Sequence, residues 1–170
     1  DYGSKYSGGL GTYTAKHCPT AIYSKQTHKT FFVYGGTTQQ EERRLLAMVG
    51  FFDHSTGMVC QPTVVHDKQK VNDPHDNPSL SIDSEGYLWV FISGRASHRP
   101  GFKYRSTEPY KIDAFEQISE EEFTYPQPWW IPGQGVLHLF TKYTQGRELY
   151  WNRSQYGLGW TREQKLAGMG

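Results

Sequence analysis

Residues 75 to 94 read HDNPSLSIDSEGYLWVFISG, a stretch that predicts two adjacent β-strands. Polar and apolar residues alternate in SLSID, as in a strand with one buried face, and Pro78 fits the start of a strand, where a missing N–H is tolerated. A polar turn follows, and then YLWVFI, a run of large apolar residues typical of a strand buried on both faces. His75, Asp76 and Asn77 therefore stand at the entrance of the first of two paired strands.

The same arrangement occurs three times along the chain. Each copy places polar or aromatic residues before a proline, continues with a strand and a turn, and reaches a strongly apolar second strand; a third and a weaker fourth strand follow. The copies begin with HCPTAIYS at 17–24, HDNPSLSID at 75–83 and TYPQPWWI at 124–131, and their second strands are KTFFVYGG at 29–36, GYLWVFISG at 86–94 and GVLHLFTK at 135–142. A repeat of roughly 50 residues with four antiparallel strands predicts the blades of a β-propeller.

The predicted fold class is therefore all-β, with about three four-stranded antiparallel blades at roughly 17–66, 75–118 and 124–166 in a single partial propeller domain over 1–170. Propellers typically close with roughly four to eight blades, so we expect these blades to be part of a larger ring. A three-unit β-sandwich is the alternative. The two end faces of such a piece would be apolar, which predicts self-association through exposed blade faces.

The composition argues against several kinds of partner. The 18 basic and 17 acidic residues are scattered and leave a net charge of +1, so neither nucleic acid nor a membrane is predicted as a partner. No apolar stretch approaches the roughly 20 residues that span a bilayer. The 12 Tyr, 9 Phe, 5 Trp, 18 Gly and 9 Pro are typical of short strands joined by turns. One cysteine pair, Cys18 and Cys60, indicates neither a disulfide framework nor a compartment.

The residues at the head of each first strand are the candidate site. The first strand of a propeller blade lines the central channel, so the heads of the three first strands should meet at one channel mouth. Structural alternatives exist for each residue. His75 could simply cap the turn before its strand, His98 could be a solvated loop residue, and Tyr125 and Trp130 could be blade packing. Arg147 could form a surface ion pair with Glu148.

Five segments resemble the BNR repeat-containing family, secreted bacterial β-propeller proteins related to some polysaccharide lyases. They are YSGGLGTYTAKH at 6–17, HDNPSLSID at 75–83, GYLWVFISGR at 86–95, FEQISEEEFTYPQP at 115–128 and LHLFTKYTQGRELYW at 137–151. The chain departs from the family in its Asp-box, because SQYGLGW at 154–160 has Tyr156 where the acid is expected.

The resemblance implies a secreted or periplasmic protein and, from the related ulvan-type lyases, a seven-bladed ring with histidines, tyrosines and a cation in its channel. His75 and His98 match the histidine pair of these lyases, either Tyr125 or Tyr143 the catalytic tyrosine, and Lys142 or Arg147 the cation. The catalytic candidates are thus His75, His98, Tyr125, Tyr143 and Arg147, and the substrate-binding candidates are His17, Asn77, Arg95, Gln127, Trp129 and Lys142.

These residue types suit β-elimination in a uronate-containing polysaccharide. Removal of the proton next to a carboxylate requires a cation or donor pair that neutralises the carboxylate, a base, and an acid for the leaving oxygen. Histidines titrate near neutrality, and a tyrosine beside cations can act as base or acid. No cofactor and no metal are predicted, since the spacing of the nearby acids and histidines matches no closed zinc site; these are His66, Asp67, Asp73, His75 and Asp76.

The sequence thus predicts a carbohydrate-active propeller, in first place a lyase acting on an acidic polysaccharide or oligosaccharide. A non-catalytic glycan-binding or scaffold propeller is the second hypothesis, for which aromatic channel residues suffice. A sialidase-like glycoside hydrolase is the third. It would require an arginine cluster, and only Arg95, Arg105 and Arg147 are placed suggestively.

Overall fold

The computed structural model describes residues 17–39 and 42–169, and this part of the chain is built almost entirely from β-strands. Its one helical element is a 3₁₀ turn, Pro74–Asp76. No helix in the described ranges is long and apolar enough to cross a membrane. Of the family-like segment at 6–17, residues 6–16 lie outside the described residues.

The first sheet covers the first sequence repeat. Its strands are β1 (Ala21–Ser24), β2 (Lys29–Gly36), β3 (Arg44–Asp53), β4 (Met58–Val59) and β5 (Thr63–Gln69). All pairings are antiparallel, and both β4 and β5 pair with β3. The two-residue β4 is therefore a small side branch on a four-stranded order β1-β2-β3-β5.

The second and third sheets are four-stranded antiparallel meanders in sequence order. The second contains β6 (Pro78–Ile82), β7 (Leu88–Ile92), β8 (Gly101–Ser106) and β9 (Phe115–Glu121), and the third contains β10 (Thr124–Ile131), β11 (Gly135–Tyr143), β12 (Arg147–Ser154) and β13 (Gln164–Met169). The all-β prediction and its blade-like four-stranded sheets are confirmed. The size of the ring stays a prediction.

The first strands of the three sheets lie beside one another, with β6 in contact with both β1 and β10. The backbone N–H of Leu80 donates to the carbonyl of Pro19 at 2.8 Å, and the hydroxyl of Ser79 donates to the carbonyl of Pro126 at 2.7 Å. These bonds join β6 to the chain just before β1 and to the head of β10. The heads of the three first strands are consequently close together, as the propeller prediction requires.

Strand β7 is buried along all five of its residues. Because successive side chains of a strand point to opposite faces, Leu88, Val90 and Ile92 pack into a core with the first sheet, whereas Trp89 and Phe91 pack into a core with the third. The burial on both faces predicted for this strand is thus observed along its whole length. Strands β2 and β11 alternate between buried and half-buried residues over most of their length, since each belongs to a sheet with one covered face.

Candidate functional site

The 3₁₀ turn before β6 explains why the sequence places His75, Asp76 and Asn77 together. Asp73 caps this turn, its carboxylate accepting the backbone N–H of His75 at 3.0 Å, and Pro74 occupies the first turn, where a missing N–H costs nothing. The capping residue is therefore Asp73 and not His75. The side chains of His75, Asp76 and Asn77 are all buried.

The ring of His75 is held by the same carboxylate. Nδ1 of His75 donates to Oδ1 of Asp73 at 2.5 Å, and Oδ2 of Asp73 contacts Arg99 at 2.7 Å and Arg95 at 3.4 Å. With Nδ1 protonated, the neutral ring has Nε2 as its proton-accepting nitrogen. Burial by itself would raise the pKa of Asp73, but hydrogen bonds from His75 and Arg99 outweigh burial and hold that pKa well below its ordinary value.

Tyr125 reaches the same place from the head of β10. Its φ of 54° lies in the left-handed region, although a residue before proline, here Pro126, strongly prefers extended backbone. The strand pairing shifts register at this point, and the N–H of Tyr125 donates instead to the hydroxyl of Ser93 at 3.0 Å. The ring centre of Tyr125 lies 5.6 Å from that of His75.

His17 completes the cluster from the chain before β1. Its Nε2 donates to the carbonyl oxygen of His75 at 2.9 Å, and its ring meets Tyr125 edge-on at a centroid distance of 5.5 Å. We refer to His17, His75 and Tyr125 as the head cluster. Each member precedes or begins a different first strand, and all three are almost fully buried, with exposed fractions of 1%, 5% and 4%.

A buried ion pair lies next to the head cluster. Lys68, from β5 of the first sheet, donates through Nζ to Asp76 at 2.6 Å and to the carbonyls of Ser93 at 2.6 Å and Pro100 at 3.0 Å. Asp76 also contacts Arg99 at 2.8 Å. Burial raises the pKa of Asp76 and lowers that of Lys68, while the attraction between the two groups opposes both shifts. Such a pair is tolerated because the ammonium of Lys68 donates to three acceptors, one of them Oδ2 of Asp76.

Two predicted site residues lie in the loop 93–100 between β7 and β8. His98 is exposed and makes no hydrogen bond, ion pair or ring contact with another described residue. Arg95 is nearer to the head cluster, because its guanidinium contacts Asp73 and its side chain remains 40% exposed. The structure therefore does not bring His98 into direct contact with His75.

The candidates on β11 and β12 lie at the same end of the third sheet as Tyr125, since Thr124 pairs with Thr141. The guanidinium of Arg147 lies 5.8 Å from the ring centre of Tyr143, and among the described residues it forms no ion pair with Glu148. Lys142 is bound to Glu163 at 2.8 Å. None of these side chains contacts the head cluster within the described ranges.

A shallow groove of about 380 Å³ crosses the first strands. Its lining consists of Pro19, Ala21, Ile22, Ser81, Ile82, Pro128, Trp129 and Trp130. Trp129 is 41% exposed and forms an aromatic platform, whereas Trp130 packs against the core between the second and third sheets. Gln127, on the same strand, is half-buried.

Sequence reasoning missed the groups that hold His75. Asp73 could have been found, because an aspartate before a proline is a common way to start a helical turn. Lys68 and Arg99 carry no such signal. Their contact with Asp76 depends on how a strand of the first sheet and a loop of the second come together.

Comparisons with known proteins support the fold alone. No protein-family model matches the chain and no curated protein matches it, so membership of the BNR family stays a prediction. The fold is similar to a solved ulvan lyase of polysaccharide lyase family PL25, with a TM-score of 0.72 and 18% identity over 92% of this chain and 38% of that one. It is also similar to an ulvan lyase of that family bound to -[GlcA(1-4)Rha3S]-, with a TM-score of 0.71 and 18% identity over 94% and 40%. The chain thus spans about 40% of the length of these lyases.

Proposed function

We propose that the chain carries part of the catalytic channel of a polysaccharide lyase that cleaves a uronate-containing polymer by β-elimination. The observation that carries the proposal is the convergence of the head cluster from three different sheets beside Arg95 and Arg99. The likeness in fold to polysaccharide lyases, one of them bound to a uronate-containing oligosaccharide, supports it. A secreted or periplasmic location remains part of this proposal.

The proposed chemistry assigns one task to each type of group. A guanidinium binds the sugar carboxylate and strengthens its hold as negative charge develops; Arg95 suits this task because its contact with Asp73 is long and its side chain half-exposed. Nε2 of His75 takes the proton from the carbon next to the carboxylate. The electron pair left behind forms a carbon–carbon double bond as the glycosidic C–O bond breaks, and the hydroxyl of Tyr125 protonates the leaving oxygen.

A direct test follows the unsaturated product. The protein at its natural length is incubated with a panel of acidic polysaccharides, and elimination is detected by the near-ultraviolet absorbance of the unsaturated uronate. We expect His75→Ala and Tyr125→Phe each to lower kcat/KM by about 10²- to 10⁴-fold, the usual contribution of a positioned acid or base. His54→Ala is the matched control, because His54 is exposed and, among the described residues, its side chain hydrogen-bonds only Thr30, outside the site.

The outcomes separate the hypotheses. Full turnover by His75→Ala would remove His75 from the mechanism. New reducing ends without the absorbance would favour a sialidase-like hydrolase.

A non-catalytic glycan-binding propeller is the second candidate, and the burial of the head cluster favours it. Side chains exposed by 5% or less meet a polymer only if the residues that cover them move. The groove beside Trp129 needs no such movement, since an exposed indole can stack on a sugar ring. Retention of a polysaccharide on an affinity gel without any cleavage, lost in Trp129→Ala, is the result expected of this candidate.

A further inference from the structure

An unbroken series of charged contacts runs from the first sheet to the imidazole of His75. Lys68 contacts Asp76 at 2.6 Å, Asp76 contacts Arg99 at 2.8 Å, and Arg99 contacts Asp73 at 2.7 Å. Asp73 then accepts from Nδ1 of His75 at 2.5 Å. We call Lys68, Asp76, Arg99 and Asp73 the ion chain. It alternates cation and anion, so every charge in it has an opposite neighbour.

The inner end of the ion chain has little freedom to rearrange. The ammonium of Lys68 has three donors, and three acceptors surround it: Asp76 and two backbone carbonyls. The side chain of Lys68 is 4% exposed and that of Asp76 is 0% exposed. Moving either group would leave a buried charge without its partner, which is strongly unfavourable. The carboxylate of Asp76, which contacts Arg99, is therefore fixed in place.

At the outer end of the ion chain, the two oxygens of Asp73 contact different groups. Oδ1 accepts both the backbone N–H and the ring Nδ1–H of His75, while Oδ2 contacts Arg99 and, at a longer distance, Arg95. A carboxylate so held always offers an acceptor to Nδ1. Among the described residues, the ring of Tyr125 packs against the ring of His75, and Nε2 of His17 donates to the backbone carbonyl of His75.

We propose that Asp73 is a positioning residue that keeps the proton of neutral His75 on Nδ1 and leaves Nε2 as the reacting nitrogen, and that Lys68, Asp76 and Arg99 hold Asp73 in place. The inference rests on the proposed function for its catalytic consequence. Its structural content, the tautomer of His75, is independent of any activity. Lys68 belongs to the first sheet, whereas Asp73 and Asp76 lie at the turn before the second sheet and Arg99 lies in a loop of that sheet. The site therefore depends on the docking of two sheets.

Nitrogen NMR of the histidine-labelled chain tests the structural content. We expect His75, assigned by the loss of its signals in His75→Gln, to be in the Nδ1–H form, and Asp73→Asn to shift it to a mixture with the Nε2–H form. Asp67→Asn is the matched control, since it also removes an ion-paired carboxylate, bound to Arg44 at 2.9 and 3.0 Å. An unchanged tautomer in Asp73→Asn overturns the proposal.

Kinetics test the catalytic consequence. We expect Asp73→Asn to lower kcat by about 10²- to 10⁴-fold with KM changed much less, because a misplaced ring binds no worse but reacts slowly. Asp73→Glu, which keeps the charge, should recover part of the loss. A changed tautomer with an unchanged kcat would refute a positioning role.

Two further results keep the test decisive. If Asp73→Asn does not fold, Arg99→Gln replaces it, because removing the short contact to Oδ2 should shift the same tautomer equilibrium; no shift in that variant counts against the ion chain. If the wild-type protein cleaves no polymer, the lyase proposal fails, while the NMR result still decides whether Asp73 sets the tautomer of His75.

Discussion

Tyr125 shows how a single residue is forced into the conformation that the site requires. Left-handed backbone at a bulky residue costs about 1–3 kcal/mol, and the following proline adds a further steric penalty. Contacts with described residues support this conformation: its N–H donates to Ser93, and its ring packs against the two histidines of the head cluster. An extended Tyr125 would continue the ladder of β10 and carry its ring away from His75.

Asp73 leads to a prediction for acid stability. Its pKa is lowered on folding, so the unfolded chain binds this proton more tightly than the folded one. Ionised Asp73 therefore stabilises the fold above the ordinary carboxyl pKa of about 3.9, and this contribution is lost as the pH falls further. Asp76 acts in the opposite direction, because its pKa is raised.

We expect the free energy of unfolding of Asp73→Asn to decrease less than that of the wild type between about pH 4 and pH 2, as measured by urea denaturation. Asp113→Asn, at an exposed position, is the control and should follow the wild-type curve. Parallel curves for Asp73→Asn and the wild type would show that Asp73 does not contribute to the loss of stability in acid.

Among the structural elements, the loop 93–100 links the buried strand β7 to the residues around the head cluster. It leaves β7, which packs into both cores, and carries Arg95 and Arg99 to Asp73. Gly94, at its start, donates its N–H to the carbonyl of Phe123 at 2.9 Å. The loop folds back so closely that the returning backbone passes over this glycine.

Gly94→Ala should disrupt this loop. An added Cβ would lie 2.3 Å from the carbonyl oxygen of Arg99 and 2.4 Å from the carbonyl carbon of Pro100, and backbone atoms cannot move aside as side chains do. We expect a loss of about 1–3 kcal/mol in the free energy of unfolding, the usual cost of overpacking. Gly159→Ala, where nothing lies within 4 Å, should change it by less than about 0.5 kcal/mol. Equal effects in chemical denaturation would contradict this reading of the loop.

At the scale of the whole molecule, the contact between the second and third sheets contains a buried cation. Lys103 is 0% exposed, binds the carboxylate of Glu121 at 2.8 and 3.0 Å, and lies 3.7 Å from the ring centre of Trp160. Burial lowers the pKa of Lys103 against the attraction of Glu121. Nearby His138 is fully buried, and burial together with the charge of Lys103 puts its pKa well below the ordinary value.

Replacing each of the two partners of this ion pair should change the free energy of unfolding by a different amount. Glu121→Gln leaves Lys103 charged and buried without a counter-ion, and we expect a loss of about 2 kcal/mol; this is below the cost in a fully buried pair because the side chain of Glu121 is 30% exposed. Lys103→Met removes the buried charge and keeps much of the volume, and it should change stability by less than about 1 kcal/mol. Urea denaturation measures both variants. A larger loss in Lys103→Met would mean that the cation's contact with Trp160 outweighs its desolvation.

Self-association through the outer sheets stays a prediction. Large exposed apolar side chains occur in the first sheet and in and around the third; they include Met58, Val64, Tyr156, Leu158 and Leu166. Residues 78–121 of the middle sheet, all of them described, contain none. We expect light scattering to detect concentration-dependent association of the chain, weakened by Leu166→Lys but not by Gln117→Lys in the middle sheet. A monomer at every concentration would contradict the prediction.

Local pattern was sufficient to predict the strands and their grouping. Alternation, proline at strand heads and turn residues are properties of short segments, so the three repeats and their four-stranded sheets could be recognised before any contact was known. The same reasoning placed polar residues at the strand heads, and there His17, His75 and Tyr125 do meet. Their catalytic roles stay predictions.

Amino-acid sequence by itself determined which residues form strands and which of them stand at the strand heads, because those preferences act within a few residues. Only the tertiary structure decided that Lys68 and Arg99 contact the carboxylates of Asp76 and Asp73 beside His75, and that His98 lies apart from it. These contacts join a strand of the first sheet to a turn and a loop of the second. They exist only once two sheets have docked and buried charges must find partners, and no local pattern encodes that docking.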